Sequence, residues 1–291
     1  MDAGGAPWAV SHAALPVVEA QSGGRHRVYF SARDERGRAR IGWGDVELGH
    51  PSTWTVSREP SIDIGRLGAF DDSGVTSSCL VIHEGRQYHY YTGWSLGTTV
   101  PFYLNAGLAV SDDGGATIRR LSDAPLLDRS AVDPLLTASP WVLVDNGVWR
   151  MWYISATEWR MRGGRPEHRY HIRYAESRDG VAWDRRGIVC IDYKSDDEHA
   201  LGRPCVVYDR GTYRMWFSHR GDRYRIGYAE SSDGIVWRRD DDAAGIDVSA
   251  DGWDSEMIEY PCVFDAGGRR LMLYNGNDYG RTGIGLAEWR P

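Results

Sequence analysis

The residues with most to offer chemically are carboxylates, and they are bunched. Asp71 and Asp72 fall in DIGRLGAFDDSGVTS, and Asp128 and Asp133 in LLDRSAVDPLLTAS. Asp196, Asp197 and Glu198 precede His199 and Arg203 in IDYKSDDEHALGR, and DVSADGWDSEMIEY holds Asp251, Asp254, Glu256 and Glu259. Between these stretches lie Trp94, Trp141, His219, Arg220, Asn275 and Asn277. Two carboxyls can divide general-acid and general-base work when their surroundings keep one protonated and the other ionised. Aromatic faces beside carboxylates and amides suit a sugar, whose C–H surface lies on rings while its hydroxyls need planar partners.

One of these acids stands apart by register. With Pro140, Pro204 and Pro261 aligned, Glu259 sits two residues before its proline, where the matching positions hold Ala14, Ser77, Ala138 and Gly202. A large carboxylate among small residues at a buried position needs a partner or a task, because an unpaired buried charge is costly. Arg203, one residue before its own proline, is a natural partner for Glu259 or for an anion of the substrate.

These residues must be held by something, and the chain repeats itself. The unit YRMWFSHRGDRYRIGYAESSDGIVWRRD (Tyr213 to Asp240) recurs as WRMWYI with HRYHIRYAESRDGVAWDRR, and more loosely as YHYYTGW with NAGLAVSDDGGATI. Ser111, Ser177 and Ser231 open the equivalent turns. Each copy starts with a short apolar run ending in a Gly turn: SCLVIHEGR, SPWVLVDNG, RPCVVYDRG and YPCVFDAGG. Such runs read as buried strands. A weaker copy spans His12 to Pro60. The pattern predicts an all-β, five-bladed β-propeller of four-stranded antiparallel blades, a single domain over residues 1–291. The last copy is one strand short, so Pro7 to Val10 is expected to pair into it and close the ring, removing an exposed edge. In this arrangement one rim carries only tight Gly turns, and the other carries every acidic connector.

Bulk properties exclude several classes. A net charge of −7 without a basic stripe argues against nucleic acid. No long charge-free apolar run and no basic leader followed by an apolar segment is present, so a cytoplasmic protein with no membrane partner is expected. Cys79, Cys205 and Cys262 occupy matching inner-strand positions and Cys190 lies elsewhere, which predicts buried thiols and no disulfide ladder. The nine histidines include no HxH or HExxH spacing, so no zinc site and no cofactor are expected. The carboxylate supply would allow Ca²⁺, but no EF-hand-like loop exists. Lys194 is the sole lysine, so amine chemistry could rest only on it.

The inner-strand Glu259-Tyr260-Pro261 and the AESRDGVAW and AESSDGIVW turns resemble the five-bladed propeller glycoside hydrolases of families 43, 32, 68 and 130. Those families draw a carboxylate base or nucleophile, a tuning Asp and a Glu acid from successive inner strands. The resemblance implies Glu259 as the acid, with Asp72 the first choice of base and Asp133 or Glu198 next. It also departs: Leu15-Pro16 stands where family 43 has Asp-Pro, and the WMNDPNG and RDP motifs are absent. The leading expectation is hydrolysis of a small glycoside or oligosaccharide, with Arg203, His199, His219, Trp94, Trp141, Glu256, Asn275 and Asn277 contacting the sugar. The alternatives are a phosphorylase or transferase using Arg203, His199, His219 and Arg220 on phosphate, or a non-catalytic propeller that binds a sugar or protein.

Overall fold

The computed structural model describes residues 1–49 and 54–290. Almost every ordered segment is a strand. The first antiparallel sheet runs β1 (Ser11–Ala20), β2 (Arg25–Arg33), β3 (Ala39–Glu47) and β4 (Trp54–Val56) in sequence order. The second repeats this order with β5 (Gly74–His83), β6 (Arg86–Leu96), β7 (Phe102–Ser111) and β8 (Arg119–Arg120). Next come β9 (Thr137–Asp145), β10 (Val148–Arg162), β11 (Arg165–Ser177) and β12 (Trp183–Ile191). They are followed by β13 (Ala200–Asp209), β14 (Thr212–Arg220), β15 (Tyr224–Ser231) and β16 (Arg238–Arg239). These two antiparallel runs join through a single parallel pair, Tyr170 with Ala200. The last sheet has three strands, β17 (Glu259–Ala266), β18 (Arg269–Asn275) and β19 (Ile284–Glu288).

The fourth-strand position beside β19 is met differently from the expectation. Met1 exchanges backbone hydrogen bonds with Ile284, its carbonyl accepting from the Ile284 N–H at 2.8 Å. Pro7 to Val10 instead lie beside the first sheet, where the Val10 N–H donates to the Arg33 carbonyl at 2.9 Å. The reason is Trp8, which is buried and donates its indole N–H to the Ser57 carbonyl at 3.0 Å. Gly4 and Gly5, both at positive φ, turn the preceding residues back toward β19.

Packing between sheets follows the repeat. In the third unit the Ser177 hydroxyl accepts the Gly180 N–H while Asp179 accepts those of Val181 and Ala182, and Ser231, Asp233 and Gly234 repeat this in the fourth. These donors hold both aspartates below the usual carboxylate range. The turn carbonyls then dock neighbouring aromatics: Gly180 accepts from the Tyr90 hydroxyl and Gly234 from the Trp152 indole, each at 2.8 Å. Buried thiols add smaller ties between adjacent inner strands, with the Val142 N–H on Cys79 and the Val263 N–H on Cys205. All four cysteines are free. Among the described residues, no helix is long and apolar enough to cross a membrane.

Candidate functional site

The inner strands share a local defect that aims side chains at the axis. In β1, β9, β13 and β17 the residue before the proline is left-handed: Leu15, Ser139, Arg203 and Tyr260 have φ between 46° and 56°. Each lies within a register shift of the ladder. A non-glycine residue held there costs about 1–3 kcal/mol, and such bulges re-aim a side chain. All four residues line one axial cavity of about 330 Å³. That volume suits a small ligand. The small residues at the aligned positions make the room: Ala14, Ala138 and Gly202 line it, and a Cβ on Gly202 would come within 2.4 Å of Ile154.

One wall of the cavity is a cluster of tyrosines. The hydroxyls of Tyr170 and Tyr224 are 2.8 Å apart, and His168 stacks on Tyr170 with ring centroids 4.7 Å apart. Arg220 donates to the Tyr279 hydroxyl at 2.8 Å, and its guanidinium lies 5.3 Å over the Tyr224 ring. His12 and His168 also reach the cavity. Burial pushes both imidazoles down to about 4, with Arg33 and Arg281 adding to the effect at His12, so both are neutral near pH 7.

Glu259 lies behind this wall with no exposed surface, and neither carboxyl oxygen has a hydrogen-bond partner among the described residues. Burial raises its pKa well above the ordinary value; Asp278 adds to the rise and Arg220 opposes it. The same carboxyl helps raise the pKa values of Tyr224 and Tyr260. Asp278 itself is exposed, in a turn where Asp278, Tyr279 and Gly280 are all left-handed. Gly280 permits that path, since a Cβ there would fall 2.4 Å from the Ala13 carbonyl.

The other acids named from sequence are elsewhere. Asp133 is fully buried away from the cavity, with Arg173 at 3.3 Å, Arg185 at 3.0 Å and the Tyr153 hydroxyl at 3.1 Å. Asp71 meets Tyr91 and Arg120 in the same way, and Asp254 meets Tyr274. In these three units the carboxylate precedes its tyrosine by 20 residues, so the arrangement is an architectural repeat. Glu198 is the fourth-unit version. Phe217 replaces the tyrosine, and the longer carboxylate bonds Arg239 at 2.6 Å and His219 at 3.1 Å. Those partners hold Glu198 at about 2 against the opposing effect of burial. Asp72 braces its own loop, accepting from the Gly68 N–H at 3.0 Å and the Ser73 hydroxyl at 2.8 Å.

Of the expected sugar contacts, Trp94 and Arg203 line the cavity. The rest do not line it. Asn275 accepts the Leu15 N–H at 3.1 Å, and Asn277 accepts those of Glu256 and Met257. Trp141 donates to the Val206 carbonyl, Glu256 pairs with Arg223, and His199 is buried 3.8 Å from Glu167. Sequence reading overlooked His12, Arg33, His168 and the wall tyrosines Tyr170 and Tyr224, while Tyr279 falls in the NGNDYG loop that it placed on the same rim. The signal for Tyr260 was present, since it occupies the pre-proline position already singled out at Arg203. Among the described residues, no group of three or more His, Cys, Asp or Glu side chains is placed to hold a metal ion.

No family model matches the chain. Two Mycobacterium tuberculosis proteins, the uncharacterized MT1551 and Rv1502, are 47% identical to it over 281 residues, covering 96% of this chain and 93% of theirs. Among solved structures, a glycoside hydrolase superposes with a TM-score of 0.76 at 17% identity, covering 98% of this chain and 90% of that one. A thermostable family-43 glycoside hydrolase gives 0.75 at 15% identity, covering 97% and 90%. An endo-arabinase from Bacteroides thetaiotaomicron gives 0.69 at 14%, covering 98% and 97%. The chain therefore has the fold of the glycoside hydrolase propellers.

Proposed function

The chain belongs to one family with the M. tuberculosis proteins MT1551 and Rv1502, and we propose that it is a carbohydrate-active enzyme that cleaves a glycosidic bond in the axial cavity. In this reading the sheets are five blades of a single domain, and the Met1–Ile284 bridge closes the ring. The observation that carries the proposal is Glu259, a carboxyl without hydrogen-bond partners among the described residues, whose pKa burial raises well above its ordinary value, set behind the tyrosine wall of a cavity lined with aromatic rings. A protonated carboxyl can give its proton to the leaving oxygen as the bond to C1 breaks.

The companion group in this proposal is Asp278. It is exposed at the turn beside the cavity and close enough in charge to push the pKa of Glu259 up. Two carboxyls in contrasting surroundings are the pattern by which acid and base are divided. Asp278 would take a proton from the attacking water while Glu259 protonates the departing alcohol. Asp133 and Glu198 are assigned to the frame on this reading, since arginines hold both oxygens of each, and Asp72 to its loop. Trp94 supplies a ring face, and the tyrosine wall supplies hydroxyls.

The test is turnover on a panel of aryl glycosides. Glu259→Gln is expected to lower kcat by about 10²–10⁴, Asp278→Asn by a similar factor, and Asp72→Asn by less than about twofold. Full turnover in Glu259→Gln on a substrate the wild type cleaves would remove the proposal.

A further inference from the structure

The axial cavity is basic. Three arginines, Arg33, Arg203 and Arg220, reach its surface, and among the described residues no aspartate or glutamate does. This is unusual within the molecule itself. Arg120, Arg173, Arg185 and Arg239, which are also held deep in the fold, are each paired with a carboxylate. Arg33, Arg203 and Arg220 form no ion pair among the described residues. Arg220 is flanked by tyrosines and also acts on Glu259 without bonding it, and the groups around Arg203 are backbone carbonyls and thiols.

Each of the three retains donors. Arg220 gives one N–H to Tyr279. Arg203 donates to the carbonyls of Ser78 and Pro16, while its Nε has no partner although the residue is fully buried. Arg33 is exposed at the cavity edge. A guanidinium withdrawn from water without a carboxylate is expensive unless something else balances it. Glu259 makes no hydrogen bond or ion pair to any of the three, and Asp278 offers one carboxylate against three guanidiniums. The planar fork of arginine matches the oxygens of phosphate and carboxylate, often with two parallel hydrogen bonds.

We propose that the cavity is an oxyanion-binding site, in which Arg220 and Arg33 clamp a phosphate or carboxylate group that enters with the sugar and Arg203 supplies positive charge at the floor. The proposal rests on the reading of the cavity as a sugar site only for the remainder of the ligand. The oxyanion has two sources: a substituent of the sugar itself, or a free phosphate ion bound beside a neutral sugar.

The experiment is a titration of the full chain at low salt, read by calorimetry and by the fluorescence of the cavity tryptophan, Trp94. The probes are inorganic phosphate, glucose 6-phosphate, glucuronate and glucose. Saturable binding of at least one oxyanion is expected, weakened about tenfold or more in Arg220→Gln and in Arg33→Gln. Arg178→Gln, at an exposed turn at the opposite end of β11, should leave binding unchanged. Circular dichroism of each variant checks that it folds. An anionic sugar that displaces phosphate and binds more tightly identifies a substituent as the source; phosphate that binds and strengthens glucose binding identifies the free ion. No saturable binding of any of the three oxyanion probes up to about 50 mM, or binding equal to wild type in both cavity variants, overturns the proposal. Repeating the titration in Glu259→Gln separates this from the cleavage reading. Oxyanion binding by a wild type that cleaves nothing sinks cleavage alone, and cleavage without any oxyanion binding sinks this inference alone.

Discussion

Replacing Asp133 with asparagine removes one charge and leaves the shape of the site. In the wild type both carboxylate oxygens are engaged, one by Arg173 and the other by Arg185, with the Tyr153 hydroxyl donating as well. The acid has no exposed surface, and the two arginines are 15% and 18% exposed. Removing one partner of a buried ion pair costs about 3–5 kcal/mol, because the remaining charge keeps its desolvation cost and loses its compensation. Since both guanidiniums retain some solvent, the lower end applies, about 3 kcal/mol, or a fall in Tm of about 6–12 °C at about 2–4 °C per kcal/mol. The Asp123–Arg66 pair is the internal control: its side chains are 61% and 74% exposed. Asp123→Asn should therefore cost less than about 1 kcal/mol. Urea unfolding and calorimetry at neutral pH measure both. If Asp133→Asn melts within about 1 °C of the wild type while turnover disappears, the carboxylate belongs to the chemistry and the architectural reading of the repeat is wrong.

Other outcomes follow from the same contacts. The pKa of Glu259 is raised on folding from an ordinary 4.5, so the folded state holds its proton longer and wild-type stability falls as pH climbs from 4.5 toward the folded value. Glu259→Gln has no such loss; its advantage in urea midpoint should widen as the pH rises above 4.5, and a constant difference would contradict the burial. Gly280→Ala forces a side chain into a left-handed position against the Ala13 carbonyl and should cost about 1–3 kcal/mol, with the Asp278 turn displaced and catalysis reduced more than stability alone explains. Cys79, Cys205 and Cys262 are buried, and burial pushes the Cys79 thiol up to about 12. A thiol reagent at pH 8 should therefore leave these three unlabelled until denaturant is added, and rapid labelling of all four cysteines in the native protein would refute that packing.

Much of the architecture was legible because it is written in local repeats. Ser177-Arg178-Asp179-Gly180 and its counterpart at Ser231 fold by short-range hydrogen bonds, and any chain carrying them makes the same turn. The inner-strand prolines, the small residues Ala14, Ala138 and Gly202, and the odd carboxylate at Glu259 were visible as departures from or agreements with that repeat. The N-terminal pairing was not. Trp8 found its cavity beside Gly42 and Ser57, and the edge of β19 was left to Met1.

Residue types alone determined that this chain builds repeated antiparallel sheets and collects acids in the connectors between them. Which acids stay free for chemistry was decided only by tertiary structure. Asp133, Glu198 and Glu259 are all carboxylates in connectors or at strand starts, yet arginines from strands 40 and more residues away reach the first two and none within bonding distance reaches the third. A carboxylate becomes a brace or an acid according to what lies next to it in space, and those neighbours come from distant parts of the chain.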